Sequence, residues 1–152
     1  MFSWVGEPTG LAQHKMFYSA VHFGWNNTVV RVGDDVTLQF EDHLSSLPAV
    51  ARIETLWVDR VRGVGCLTVR WYYRVQDVPE ALLAGFPLGT PVPNEIFLSE
   101  VQGEFEIEAV VIGRATVVRA ESDAGLMPNE YLSRVTFSPH RLTFGPLAAS
   151  IL

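Results

Sequence analysis

The sequence is poor in cysteine, in basic residues and in long apolar runs. One cysteine, Cys66, in 152 residues excludes an internal disulfide and a multi-cysteine zinc site. It fits a reducing compartment, cytosol or nucleus. Because Cys66 stands in an apolar run, it reads as a buried, inert thiol. Lys and Arg number 11 against 17 Asp and Glu, a formal net charge of −6. Docking on DNA by charge alone needs clustered Lys and Arg, so nucleic acid is not the expected primary partner, although a local basic patch would still permit contact. An acidic surface suits a Lys/Arg-rich peptide better. No apolar run approaches the roughly 18 residues that span a bilayer. The start, Met1-Phe2-Ser3-Trp4, shows no basic segment leading into an apolar stretch, so neither a membrane partner nor a secretion signal is expected.

The chemistry-bearing motifs are missing too. His14, His22, His43 and His140 are scattered, none at metal-ligand spacing with another or with Cys66. Gly63-Val64-Gly65 lacks a third glycine and a following helix, so it is a turn rather than a phosphate cradle. No serine sits in a nucleophile elbow. Asp34-Asp35, Glu41-Asp42 and Glu104/Glu106/Glu108 stand beside strand-like runs and read as solvated charge. No cofactor, no metal and no catalysis are expected.

What is present is β patterning. Hydrophobic residues make up 48% of the chain, enough for a core without disulfide or metal. Short runs of β-branched and aromatic residues alternate with Gly, Pro, Asn and Asp, the pattern of a barrel or sandwich. Strands are expected at 33–40, 50–58, 66–74, 95–98, 110–118 and 131–137. In the third, Leu67, Val69, Trp71 and Tyr73 share one face; Thr68, Arg70, Tyr72 and Arg74 share the other. Arg70 and Arg74 are expected to pair with carboxylates, and Trp57 and Phe97 to lie in the core. Arg60 to Gly65 reads as a hairpin turn, and Gly85 to Asn94, with three prolines, as a loop. Pro79 to Ala84 reads as one short helix with proline at its start. Gln13 to Val21 reads as a helix candidate, broken by Gly24-Trp25-Asn26-Asn27. Ser122 to Asn129 reads as a loop, and Leu147 to Leu152 as a frayed end.

Five short motifs in order carry a resemblance. Val32-Gly33-Asp34-Asp35-Val36 comes first, then Pro48-Ala49-Val50-Ala51-Arg52-Ile53-Glu54. Val69-Arg70-Trp71-Tyr72-Tyr73-Arg74 follows, with Asp77-Val78-Pro79 behind it. Asn94-Glu95-Ile96-Phe97-Leu98-Ser99 and Ile112-Gly113-Arg114 close the series. Together they resemble the bromo-adjacent homology (BAH) family over residues 32–118, with 1–31 and 119–146 as flanks packing on that core. Ser3-Trp4-Val5-Gly6-Glu7-Pro8 and Asp77-Val78-Pro79 are also similar to the branch found at the N-terminus of the largest subunit of the origin recognition complex.

The resemblance implies a single mainly β domain over 1–152, a small, partly open barrel with short helices, of the kind found as the N-terminal domain of a larger protein. It implies a nuclear, non-catalytic chromatin module whose partner is a histone tail peptide or nucleosome. The alternative partner is another subunit of a chromatin complex, held by a scaffold domain. Some family members read methylated lysine with an aromatic cage, because a methylated ammonium keeps its charge but loses N–H donors. Trp71 and Tyr73 match cage positions and Asp77 the acidic position beside them. Ala49 and Ser99 stand where other members have aromatic walls. The cage implied here is open on those two sides unless Trp25, Tyr18 or another loop aromatic supplies a wall, so methyl-lysine affinity is expected to be weak or absent and discrimination poor.

Overall fold

Alternating apolar and polar residues pleat this chain into strands of two to eleven residues. The computed structural model describes residues 1–40, 47–120 and 125–147. Two compact units emerge. The first holds Met1–Arg70 and Gln102–Arg114; the second holds Trp71–Val101 and the described residues from Ala115 onward.

The strands of the first unit are β1 (Phe2–Val5), β2 (Gly10–Ala12), β3 (Lys15–Tyr18), β4 (Ala20–Phe23), β5 (Thr28–Arg31), β6 (Asp35–Phe40) and β7 (Ala49–Asp59). The long strands β8 (Val64–Arg74) and β9 (Ile96–Glu106) contribute to both units, and β10 (Val110–Arg114) returns to the first. β1, β4 and β5 form a three-stranded antiparallel sheet, with Val21 opposite both Trp4 and Val30. β6 lies between β7 and the edge strand β10, and β3 covers β7 with Phe17 opposite Trp57. Val21, Val30, Val36, Leu38, Ile53, Leu56 and Leu67 are all buried.

The helix expected over Gln13 to Val21 is not there. Gln13 takes a left-handed φ of 56° and turns β2 back into β3. Met16, Phe17 and Tyr18 then pair with β7, and Ala20, Val21 and Phe23 are buried in the next sheet. Tertiary pairing of β-branched and aromatic residues overrides a local pattern that also suits a helix. The strand expected at 95–98 runs on to Glu106 because Val101, Gly103 and Phe105 alternate with the exposed polar residues Glu100, Gln102, Glu104 and Glu106, of which Glu104 pairs with Lys15 (3.2 Å) and Glu106 with Arg62 (3.0 Å). The run expected at 110–118 ends at Arg114 and resumes only for Val117–Val118. Gly113 does not break it. A Cβ there would come within 2.8 Å of Thr37 Oγ1, so glycine permits the close approach of β10 to β6.

The turn between β7 and β8 is built on Asp59. Its carboxylate accepts the Val61 and Arg62 backbone N–H groups (3.0 and 3.2 Å) and the Arg62 Nε–H (2.9 Å). The hydrogen bond from the Arg62 side chain, opposed by burial and aided by the two backbone N–H groups, holds the Asp59 carboxyl below its ordinary value. The unfolded carboxyl titrates near about 3.9. The contribution of Asp59 is therefore fully present above that pH and is lost as pH falls through the lower folded value. Urea unfolding of wild type and Asp59→Asn at pH 7 and pH 3 checks this: the stability gap between them shrinks at pH 3, and a constant gap would refute the linkage.

The second unit contains the ends of β8 and β9 nearest each other in sequence, with a 3₁₀ turn (Val75–Asp77) and α1 (Glu80–Leu83) between them. It adds a parallel pair, β11 (Val117–Val118) and β12 (Tyr131–Leu132), and an antiparallel pair, β13 (Val135–Ser138) and β14 (Thr143–Pro146). Its core is Val78, Phe86, Phe97, Val135 and Phe137, with Tyr73, Leu82, Leu83 and Phe144 packed against it. The short helix stands where the Pro79 motif predicts it. Ser122, Asp123 and Ala124 of the expected loop, Glu41, Asp42 and His43, and the tail from Ala148 lie outside the described residues. Cys66 is buried, and burial pushes its thiol pKa up, so little thiolate forms.

Candidate functional site

Strand β8 carries the expected aromatic positions, but its burial does not alternate strictly. Leu67 and Val69 are buried as their face predicts; beyond them Trp71 and Tyr73 are only half-buried, while Tyr72 of the other face is buried at 5% exposure. The Tyr72 hydroxyl accepts a hydrogen bond from Arg119 at 2.7 Å. The covered face changes along β8, and a period-two reading of the sequence cannot show where.

Tyr73 leans on the aromatic core, its ring 5.5 Å from that of Phe137. Trp71 is not part of that cluster. Its carbonyl accepts the Ser99 hydroxyl at 2.8 Å, and the same hydroxyl oxygen accepts the Val101 N–H at 3.2 Å. Ser99 is 1% exposed. It therefore ties β9 to β8 beneath Trp71, and an aromatic side chain there would displace packed structure. Ala49 begins β7, opposite Leu38, in the first unit.

Asp77 is exposed and has a local task. Its Oδ2 accepts the Arg74 backbone N–H at 2.9 Å and closes the 3₁₀ turn. The Arg74 guanidinium lies 5.3 Å from the Tyr131 ring centre. Arg70 pairs with Glu54 at 3.3 Å, as its face predicts. Asp77 also borders an open concavity of about 760 Å³, with Glu80 on its rim and Val75, Val78, Leu83 and Pro93 among its walls. Two carboxylates over an apolar lining accept a cation with a hydrocarbon stem.

Sequence reasoning missed the pairing of Glu95 with Arg134. Both Glu95 oxygens are held, at 2.6 and 2.8 Å, and Glu95 is 1% exposed. In the sequence Glu95 is one more carboxylate next to a strand, and its partner is 39 residues away. The motif Asn94-Glu95-Ile96-Phe97 is thereby explained as structural.

Among the described residues no three His, Cys, Asp or Glu side chains converge as a metal site, and no helix is long and apolar enough to cross a membrane. The BAH domain family model matches residues 28–144, a span that includes every motif from Val32 to Arg114. The crystal structure of the yeast Rsc2 BAH domain is similar to this chain, with a TM-score of 0.59 and 18% identity; the match covers 87% of this chain and 55% of that one. At that identity the likeness shows the fold, which is mainly β and BAH-like. The chain spans little more than half the length of that structure. This chain belongs to the BAH domain family, chromatin-associated modules that usually mediate protein or histone interactions.

Proposed function

We propose that residues 1–152 act as one non-catalytic nuclear module that contacts a histone tail or nucleosome. The observation that carries the reading is the apolar concavity rimmed by the exposed carboxylates of Asp77 and Glu80, in a chain of net charge −6. A basic tail is complementary to it in charge and stem. Trp71, half-buried and outside the aromatic core, is the candidate wall for a methylated ammonium, with Tyr73 beside it on the same strand. Each wall contributes on the order of 0.5–2 kcal/mol. Tyr73 is partly committed to the core, and Ser99 and Ala49 supply no ring, so methyl-lysine reading is weak. The Ser3–Pro8 and Asp77–Pro79 segments support the origin-recognition branch of the family.

The same commitment of Tyr73 and Ser99 favours a second reading, a scaffold for a non-histone subunit. Calorimetric titration with unmodified and methylated histone-tail peptides, and with nucleosomes, separates the two. The first reading predicts tail binding that differs little between methylation states. It also predicts roughly tenfold weakening by Asp77→Asn with Glu80→Gln, from about 0.5–1 kcal/mol per partly exposed charge pair. Wild-type affinity in that double variant, or no binding by the wild type, would sink it and favour the scaffold.

A further inference from the structure

A second concavity lies wholly within the first unit and has a different chemistry. It has a volume of about 520 Å³ and is lined by Phe2, Phe23, Trp25, Ile107, Glu108 and Val110, with Met1 at its margin. Phe23, Ile107 and Val110 are buried and form an apolar floor. Phe2 is half-buried and already engaged edge-on with Trp4 at 5.5 Å. That leaves one aromatic face for a ligand, the indole of Trp25, which is 58% exposed.

The exposure of Trp25 is not that of a slack loop. The turn that presents it joins β4 to β5 and is braced from within. The His22 ring bonds Asn27 Oδ1 at 2.8 Å, and Asn26 Oδ1 accepts the Thr28 N–H at 3.2 Å. Asn27 takes the left-handed conformation (φ 53°) that such a turn needs. The Gly24 N–H donates to the Met1 carbonyl at 3.1 Å, tying the turn to the start of β1. Glu108, on the pocket's rim in the 3₁₀ turn before β10, is exposed. No hydrogen bond or ion pair ties up its carboxylate among the described residues, whereas Glu104 and Glu106 on the neighbouring strand are both paired.

We propose that this pocket binds an arginine side chain from a basic peptide segment. A planar guanidinium stacks on one indole face and pairs with a carboxylate at the same time, while its three-carbon stem covers the apolar floor. One exposed ring and one carboxylate fit that ligand. A quaternary ammonium needs several walls, and Phe2 and Phe23 are spent on packing. The site lies apart in sequence and in unit from Trp71, Asp77 and Glu80, and does not depend on the reading given above for them.

The test uses the whole chain, ¹⁵N-labelled, and a short synthetic peptide with one arginine among alanine and leucine. Lysine and citrulline versions serve as controls. The Trp25 indole N–H signal is identified by its loss in Trp25→Ala. The expected result is a shift of that signal on adding the arginine peptide, a weaker shift with lysine and none with citrulline. Trp25→Ala and Glu108→Gln should each weaken binding about 5- to 30-fold, while Asp77→Asn with Glu80→Gln leaves the Trp25 shift in place. Both residues are exposed, so thermal unfolding of the variants should match wild type. A Trp25 signal that does not move, equal response to citrulline, or wild-type affinity in Glu108→Gln would overturn the proposal. Binding lost in the Asp77/Glu80 variant but kept in Trp25→Ala would overturn it while leaving the proposed function standing.

Discussion

Replacing Arg134 with methionine lowers the unfolding free energy by about 3–5 kcal/mol, the usual result of leaving a buried charge without its partner. Glu95 is 1% exposed and both its oxygens are bonded to this one guanidinium. One of them also accepts the Val92 N–H at 3.1 Å. The backbone around the pair is equally engaged, for Asn94 O accepts the Leu132 N–H at 3.0 Å and Glu95 bridges Leu132. Without Arg134 the carboxylate stays buried without its partner or draws water into the unit, and both cost stability. The double variant Glu95→Gln with Arg134→Met removes both charges and should regain most of the loss. Urea denaturation of the three proteins measures it. A single-variant loss under about 1 kcal/mol would mean that solvent already reaches Glu95.

Phe97→Ala is expected to cost about 3–5 kcal/mol as well, through a cavity rather than a charge. Phe97 has no exposed surface, and the rings of Phe86 and Phe144 stand 5.7 and 5.4 Å from it. Phe137 is joined to the same group through Phe144 at 5.2 Å. The three remaining rings, from three other chain segments, cannot close over the missing one, because each is fixed by a different strand or loop. Phe97→Leu, which leaves most of the volume filled, should cost less than half as much. Val61→Ala is the control: at 81% exposure it should fall within about 0.5 kcal/mol of wild type. Chemical denaturation followed by intrinsic fluorescence measures all three. Equal losses for alanine and leucine at position 97 would mean ring stacking outweighs volume.

Strand β6 was legible because it keeps a clear alternation, with Val36 and Leu38 buried. β7 and β8 keep it only in part, for Ile53, Leu67 and Val69 are buried as a period of two requires, but so are Val50, Leu56 and Tyr72 of the other faces. Trp57 and Phe97 were legible as core because both sit amid apolar neighbours in strand-like runs. The first thirty residues were not. β1 to β5 are three or four residues each, too short to distinguish a strand period from a helical one, and β1 and β3 also depend on partners distant in sequence, β4 and β7. Phe86 and Phe144 were missed as core because proline and glycine surround them, and loop composition says nothing about what a loop carries inward. Of the candidate site, Trp71 and Tyr73 could be placed on a strand, but their surroundings depend on Ser99 and Phe137, set by pairing and packing. Trp25 and Glu108 are 83 positions apart (108 − 25), and no local pattern links them.

The order in which strands become available has a cost for the nascent chain. β10 pairs with β6 in register from Arg114↔Val36 to Val110↔Phe40, yet β7, β8 and β9 are all synthesised in between. Until Val110–Arg114 leaves the ribosome, one edge of β6 has its N–H and C=O groups open, with Val36 and Leu38 on its apolar face. An open edge of that kind recruits strands from other molecules. Long-range closure of this sort is also slow. Fragments ending before Val110 are therefore prone to clump, and Val110–Arg114 covers the Val36–Phe40 edge only late, taking the edge position itself.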